Sequence, residues 1–108
     1  HRDLHSFPTR RSSDLGMRKV RARVRFKGRV QGVGFRHFTT LHAGSNELTG
    51  WVRNLGNGDV EAVFEGRESA IRRALEGCRQ GPPGGGVTEL LIDWEECRNE
   101  FDGFEIRY

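Results

Sequence analysis

The chain has 108 residues, 34% of them hydrophobic, which bounds it to one small domain with a modest core. No apolar run approaches the ~20 residues that a membrane helix needs, so the chain reads as a soluble protein without a membrane partner. Its 18 basic and 15 acidic residues leave a formal charge of only +3, too mild to argue for nucleic acid.

The first residues do not fit the rest of the chain. His1 to Leu15 shows no apolar periodicity, carries Pro8 and the cluster Thr9-Arg10-Arg11-Ser12-Ser13-Asp14, and lacks the apolar centre of a signal peptide. The run His5 to Leu15 resembles one reading frame of a short-read sequencing adapter. We read residues 1–16 as a non-native or disordered extension, and 17–108 as the domain, naturally starting at Met17. Setting aside the three arginines and two aspartates of that extension lowers the formal charge to +2. Cys78 and Cys97 stand far apart in no metal-like spacing, which predicts free thiols in a reducing cytoplasm.

From Lys19 to Arg29 the pattern has period two. Lys19, Arg21, Arg23, Arg25, Lys27 and Arg29 take one parity, and Val20, Ala22, Val24, Phe26 and Val30 the other. That is a half-buried strand with one cationic face. A glycine-rich stretch, Gly28-Arg29-Val30-Gln31-Gly32-Val33-Gly34-Phe35-Arg36, opens into a helix predicted over Phe35 to Ser45, with Phe35, Phe38, Leu41 and His42 on one face. Leu48 to Leu55 reads as a second strand carrying Trp51 and Val52, and Gly56-Asn57-Gly58 as a hairpin turn. Asp59 to Glu65 returns as a third strand that Gly66 is expected to break. Arg67 to Arg79 is helical, with Ile71, Ala74, Leu75 and Cys78 at the spacing of a buried stripe. The loop Gly81 to Gly86 leads to a fourth strand, Val87 to Cys97, with Leu90, Ile92 and Trp94 inward and Glu89, Asp93 and Glu95 outward. Phe104 to Tyr108 forms a short last strand.

This order predicts an α+β, ferredoxin-like split β-α-β sandwich (βαββαβ): an antiparallel sheet with two helices on one face and a short C-terminal extra strand. The first strand would lie between the third and fourth. Its cations would then face Asp59, Glu61 and Glu65 on one side and Glu89, Asp93 and Glu95 on the other, each pair contributing roughly 0.2–1 kcal/mol. The cationic row therefore reads as a neutralised, solvated sheet face.

The same topology brings the ends of the first and second strands to one edge, about two strand spacings or roughly 9–10 Å apart. The first ends in the glycine stretch, whose N–H groups and following helix start can converge on an anion. Arg36 adds a permanently charged fork. The second ends at Arg53-Asn54, where the Asn54 amide, both donor and acceptor, can orient a water beside that anion. A glycine-rich turn alone could be purely structural, and Asn54 could merely cap a strand end. His37 and His42 read as helix-surface or core-edge residues, and Trp51 and Trp94 as packing.

The stretch Gly28 to Arg36, together with Gly50-Trp51-Val52-Arg53-Asn54, resembles the acylphosphatase family. Further matches are Asn57-Gly58-Asp59-Val60-Glu61, Gly81-Pro82-Pro83 and Gly103-Phe104-Glu105-Ile106. The likeness covers about Lys19 to Tyr108, and the first two motifs at this spacing are specific, as a lone glycine loop is not. It implies a metal-independent hydrolase without cofactor, cleaving an acyl phosphate to a carboxylate and inorganic phosphate. By this resemblance Arg36 binds the phosphoryl group with the backbone amides of Gln31, Gly32, Val33, Gly34 and Phe35, and Asn54 positions the attacking water. Phosphoryl transfer asks mainly for positioning and charge stabilisation, so no Cys, Ser or His nucleophile is needed.

Two departures stand out. Asn46 and Glu47 occupy the usual leucine and glycine positions, which removes an apolar contact and the usual left-handed residue ending the helix, although Asn46 can adopt that conformation. Asn57 replaces the usual aspartate, but Asn57-Gly58 still makes a tight turn. The alternatives are an acyl- or carbamoyl-phosphate-binding module of a larger system and a ferredoxin-like RNA-binding domain, echoed in Gly32 to Phe38. The latter needs its rings on a strand, whereas here they open a helix. The chain's end at Tyr108 is read as that of a free-standing enzyme, which is expected to be a monomer.

Overall fold

The computed structural model describes residues 18–108. The expectation for residues 1–16 lies outside the described residues. The elements are β1 (Lys19–Arg29), α1 (Phe35–Ser45), β2 (Thr49–Asn54), β3 (Val60–Arg67), α2 (Glu68–Gln80), β4 (Gly86–Glu96) and β5 (Phe104–Arg107). The sheet order is β4-β1-β3-β2-β5, so β1 lies between β3 and β4 as expected. β1, β3, β4 and β2 pair antiparallel, but β5 adds parallel to β2, with Gly50 opposite Phe104 and Val52 opposite Ile106. The sheet is therefore mixed rather than antiparallel throughout.

The alternation along β1 becomes a two-sided strand. Val20, Ala22, Val24 and Phe26 are buried in the core with Ala62 and Phe64 of β3, Val52 of β2, Phe35 and Ala43 of α1, and Ile71, Ala74, Leu75 and Cys78 of α2. Non-directional apolar burial holds the two helices on that face of the sheet. Gly50 is required where β2 passes between Phe64 and Phe104, whose rings stack at 5.3 Å. A Cβ at Gly50 would collide with the Val63 carbonyl.

Several expectations are corrected. β3 runs on through Gly66 to Arg67, because its neighbour β1 continues to pair with it there. Leu41 is 56% exposed, and Thr39 and Ala43 are buried in its stead. The helical stripe thus runs Phe35, Thr39, Ala43, four residues apart. Glu47, with φ 58°, takes the left-handed position after α1, while the cap residue Asn46 has φ −108°. Leu48 N–H donates to Ala43 O and Glu47 N–H to Gly44 O, a Schellman closure without its usual glycine.

The outward face is neutralised only in part, and in one place it is not solvated. Arg21 is only 4% exposed. It pairs with Glu65 and Glu100, each at 3.1 Å, and the Phe101 ring lies over its guanidinium at 5.2 Å. Arg21 Nε and Glu95 Oε1 approach to 3.3 Å as a charge contact without hydrogen-bond geometry. Arg23 pairs with Glu61 and Glu95, and Lys27 with Asp59. Among the described residues Arg25, Arg29 and Glu89 form no ion pair, so neutralisation of the row is incomplete. Trp51 is a packing residue, flanked by the guanidinium groups of Arg53 and Arg107 at 5.2 and 4.9 Å. Both cysteines are free, and burial pushes the Cys78 thiol up to about 12.

Candidate active site

β1 delivers the glycine loop to the end of the sheet. A bulge interrupts its pairing with β4 between Lys27 and Gly28, where a Cβ would sit 2.5 Å from Gly86 O. Past Arg29 the chain buries Val30 and turns through Gly32 and Gly34, with φ of 77° and 79°. These left-handed positions re-aim successive N–H groups, as L side chains seldom permit. Gly34 is the N-cap of α1 and no side chain caps it, so the N–H groups of the first turn stay open. No carbonyl or side chain among the described residues takes up the N–H groups of Gln31 to Phe35.

The Phe35 ring meets Phe26 edge-on at 4.9 Å, anchoring the start of α1 to β1. The next residue, Arg36, carries its guanidinium 4.7 Å from the centroid of the Tyr108 ring. No carboxylate among the described residues pairs with it, in contrast to Arg21, Arg23 and Arg53. Asn54, the last residue of β2, stands opposite Val60 and is exposed.

Loop and asparagine share one cavity of about 220 Å³, lined by Val30, Gly32, Gly34, Phe35, Arg36, His37, Asn54, Ile106 and Tyr108. Of the residues predicted for the site, Gln31 and Val33 are not in its lining. Gln31 Nε2 turns away to donate to Leu55 O and Asp59 O, both at 2.8 Å. Val33 packs on the core beside Gly85. Val30, His37, Ile106 and Tyr108 line the cavity although the sequence reading does not assign them to it. The position of His37 next to Arg36 is a signal that could have found it. Ile106 and Tyr108 carry no such signal, since only the parallel docking of β5 on β2 brings them there.

Size does not locate the site. A larger groove of about 430 Å³ lies between α2 and β4, and a polar cleft of about 390 Å³ lies near Glu47 and Glu65. Neither includes the glycine turn with its open N–H groups. The segment that echoed an RNA-binding motif opens α1, with Phe35 buried, so its rings are not displayed on a strand.

The acylphosphatase family model matches residues 22–106. An acylphosphatase of Geobacter metallireducens is 46% identical over 90 residues, covering 83% of this chain and 97% of that protein. The crystal structure of acylphosphatase from Bacillus subtilis superposes with a TM-score of 0.80 at 36% identity, covering 82% of this chain and 99% of that one. A crystal structure of full-length HypF matches at 26% identity and a TM-score of 0.72, but over only 12% of its own length. The curated relatives that the chain covers nearly end to end are themselves acylphosphatases, which favours the hydrolase over the alternative readings. The chain belongs to the acylphosphatase family and has its enzymatic activity, hydrolysis of acyl phosphates.

Proposed function

We propose that the phosphoryl group of the acyl phosphate binds between the N–H groups of Gln31 to Phe35 and the Arg36 guanidinium, and that Asn54 orients the attacking water. The observation that carries this reading is the shared cavity, which holds together the open loop, an asparagine amide and an arginine without a carboxylate partner among the described residues. Charge develops on the equatorial phosphoryl oxygens as the carboxylate leaves, and pre-aimed N–H groups with a guanidinium stabilise it without reorganisation. The asparagine amide accepts from the water through its oxygen and donates through its nitrogen, so it can hold the water in line with the scissile bond. The water's proton passes to a substrate oxygen, and the acyl carboxylate and inorganic phosphate depart. The reaction requires no metal ion, and the enzyme acts as a cytoplasmic monomer. Residues 17–108 form the working domain.

Purified protein should hydrolyse acetyl phosphate at an unchanged rate with excess chelator, with inorganic phosphate as a competitive inhibitor. Loss of activity on chelation would overturn the metal-independent reading. Removing residues 1–16 should leave rate and melting temperature nearly unchanged.

A further inference from the structure

The glycine loop and Asn54 belong to strands that do not touch. β1 and β2 are separated by β3, so the sheet sets their spacing only through an intermediate strand. The loop itself has two left-handed glycines and no backbone hydrogen bond to the rest of the site among the described residues. Among the described residues one side chain of the loop crosses the gap, while Lys27, just before the loop, pairs with Asp59 at 2.9 Å. Gln31 Nε2 donates both its hydrogens across the neck of the β2–β3 hairpin, to Leu55 O and Asp59 O at 2.8 Å each. Leu55 directly follows Asn54 in sequence, and Leu55 N–H is already tied to Asp59 O at 2.8 Å. The contact therefore falls on the residue pair that closes the hairpin immediately beyond the asparagine.

We propose that the Gln31 carboxamide is a positioning strut that sets the distance between bound phosphate and the water held by Asn54. This rests on the roles proposed above for the loop and for Asn54. The chemistry of the two carbonyls explains why a carboxamide is suited to it. Two acceptors facing one point need a group with two N–H donors and no charge. Met has the reach but no donor, and a glutamate carboxylate would set its oxygens against both carbonyls. Both carbonyls keep a partner from within the turn, Gly58 N–H on Leu55 O and Leu55 N–H on Asp59 O. Losing the strut therefore orphans no buried group, and its main consequence is geometric.

In-line attack is sensitive to misplacement, at up to about a hundredfold in rate for 1 Å. Gln31→Met should lower kcat by roughly ten- to a hundredfold. Inhibition by inorganic phosphate, which reports on loop and Arg36 alone, should change by less than about threefold. A kcat within twofold of the parent, or an equal loss of phosphate affinity, would overturn the proposal. In an Asn54→Ala background the same substitution should cost little more, because the water it positions is already lost; full additivity would overturn it. Gln31→Glu gives a separate readout should Gln31→Met not fold. Its protonated carboxyl donates one O–H to a carbonyl and its carboxylate donates none. The ratio of its kcat to the parent's should therefore rise as pH falls from 7.5 to 5, and a flat ratio counts against the strut. A parent protein without acyl phosphate hydrolysis would instead refute the proposed site before any variant is compared.

Discussion

Arg21 and Arg36 are the same residue put to opposite uses at the two ends of one sheet. Arg21 is buried beneath Phe101, with carboxylates of Glu65, Glu95 and Glu100 within 3.3 Å. Arg36 has an aromatic neighbour, Tyr108, which is 98% exposed, and no carboxylate among the described residues. A guanidinium surrounded by carboxylates has its charge taken up by the fold. One with a ring beside it and no carboxylate among the described residues keeps its charge free, as the phosphoryl-binding role proposed for it requires. The difference is made by neighbours, and it separates a structural end of the molecule from the end proposed to be reactive.

The sharpest way to break the comparison is to make one substitution at both ends. Arg36→Met should reduce acyl phosphate turnover by about a thousandfold or more, on the order expected for removing a transition-state charge partner. Its melting temperature should barely move. Arg21→Met should do the reverse, costing about 3 kcal/mol in denaturant unfolding because the buried Glu65 carboxylate loses its guanidinium, while activity per folded molecule stays near that of the parent. If both variants lost activity alike, the separation of ends would fail.

Asn54→Ala comes next in size. Turnover should fall about a hundredfold while inhibition by inorganic phosphate stays within about threefold, since in the proposed site water and phosphate are held by different groups. A large loss of phosphate affinity would contradict its assigned part.

A smaller effect should appear in the pH dependence of stability. Burial alone would raise the Glu65 carboxyl, but the backbone N–H of Arg98 and the hydrogen bond and charge of Arg21 outweigh it and hold the group below its ordinary value of 4.5. A depressed folded value means the unfolded chain takes up the proton first. The stabilisation is therefore fully present above 4.5 and is lost as pH falls through the lower folded value. Denaturation midpoints should drop over that range, and Glu65→Gln should flatten the drop without altering turnover at neutral pH.

The smallest effect concerns Glu47, held at φ 58° where glycine would be unstrained. Glu47→Gly should stabilise by about 1 kcal/mol, measured by denaturant unfolding, with activity unchanged. A change in kcat would show that the structural end reaches the site after all.

Periodicity and local chemistry made much of this protein legible in one dimension. The alternation from Lys19 to Arg29 marked β1 and its two faces, because side chains on a strand alternate regardless of what lies across them. The glycine stretch before Phe35 marked a turn able to aim N–H groups, because only glycine enters those conformations freely. The predicted strand order then brought that turn to Asn54, and the family motifs matched both. Other features depended on contacts between distant residues. Ile106 and Tyr108 reach the cavity because β5 docks parallel on β2, and no local pattern encodes that register. Leu41 lies exposed because α1 is rotated to bury Thr39 and Ala43 against the core, a choice of helix face made by packing. For Gln31 the sequence pointed to the backbone N–H alone. Its side chain meets two carbonyls 24 and 28 residues away, partners that exist only once β3 has brought the hairpin beside the loop.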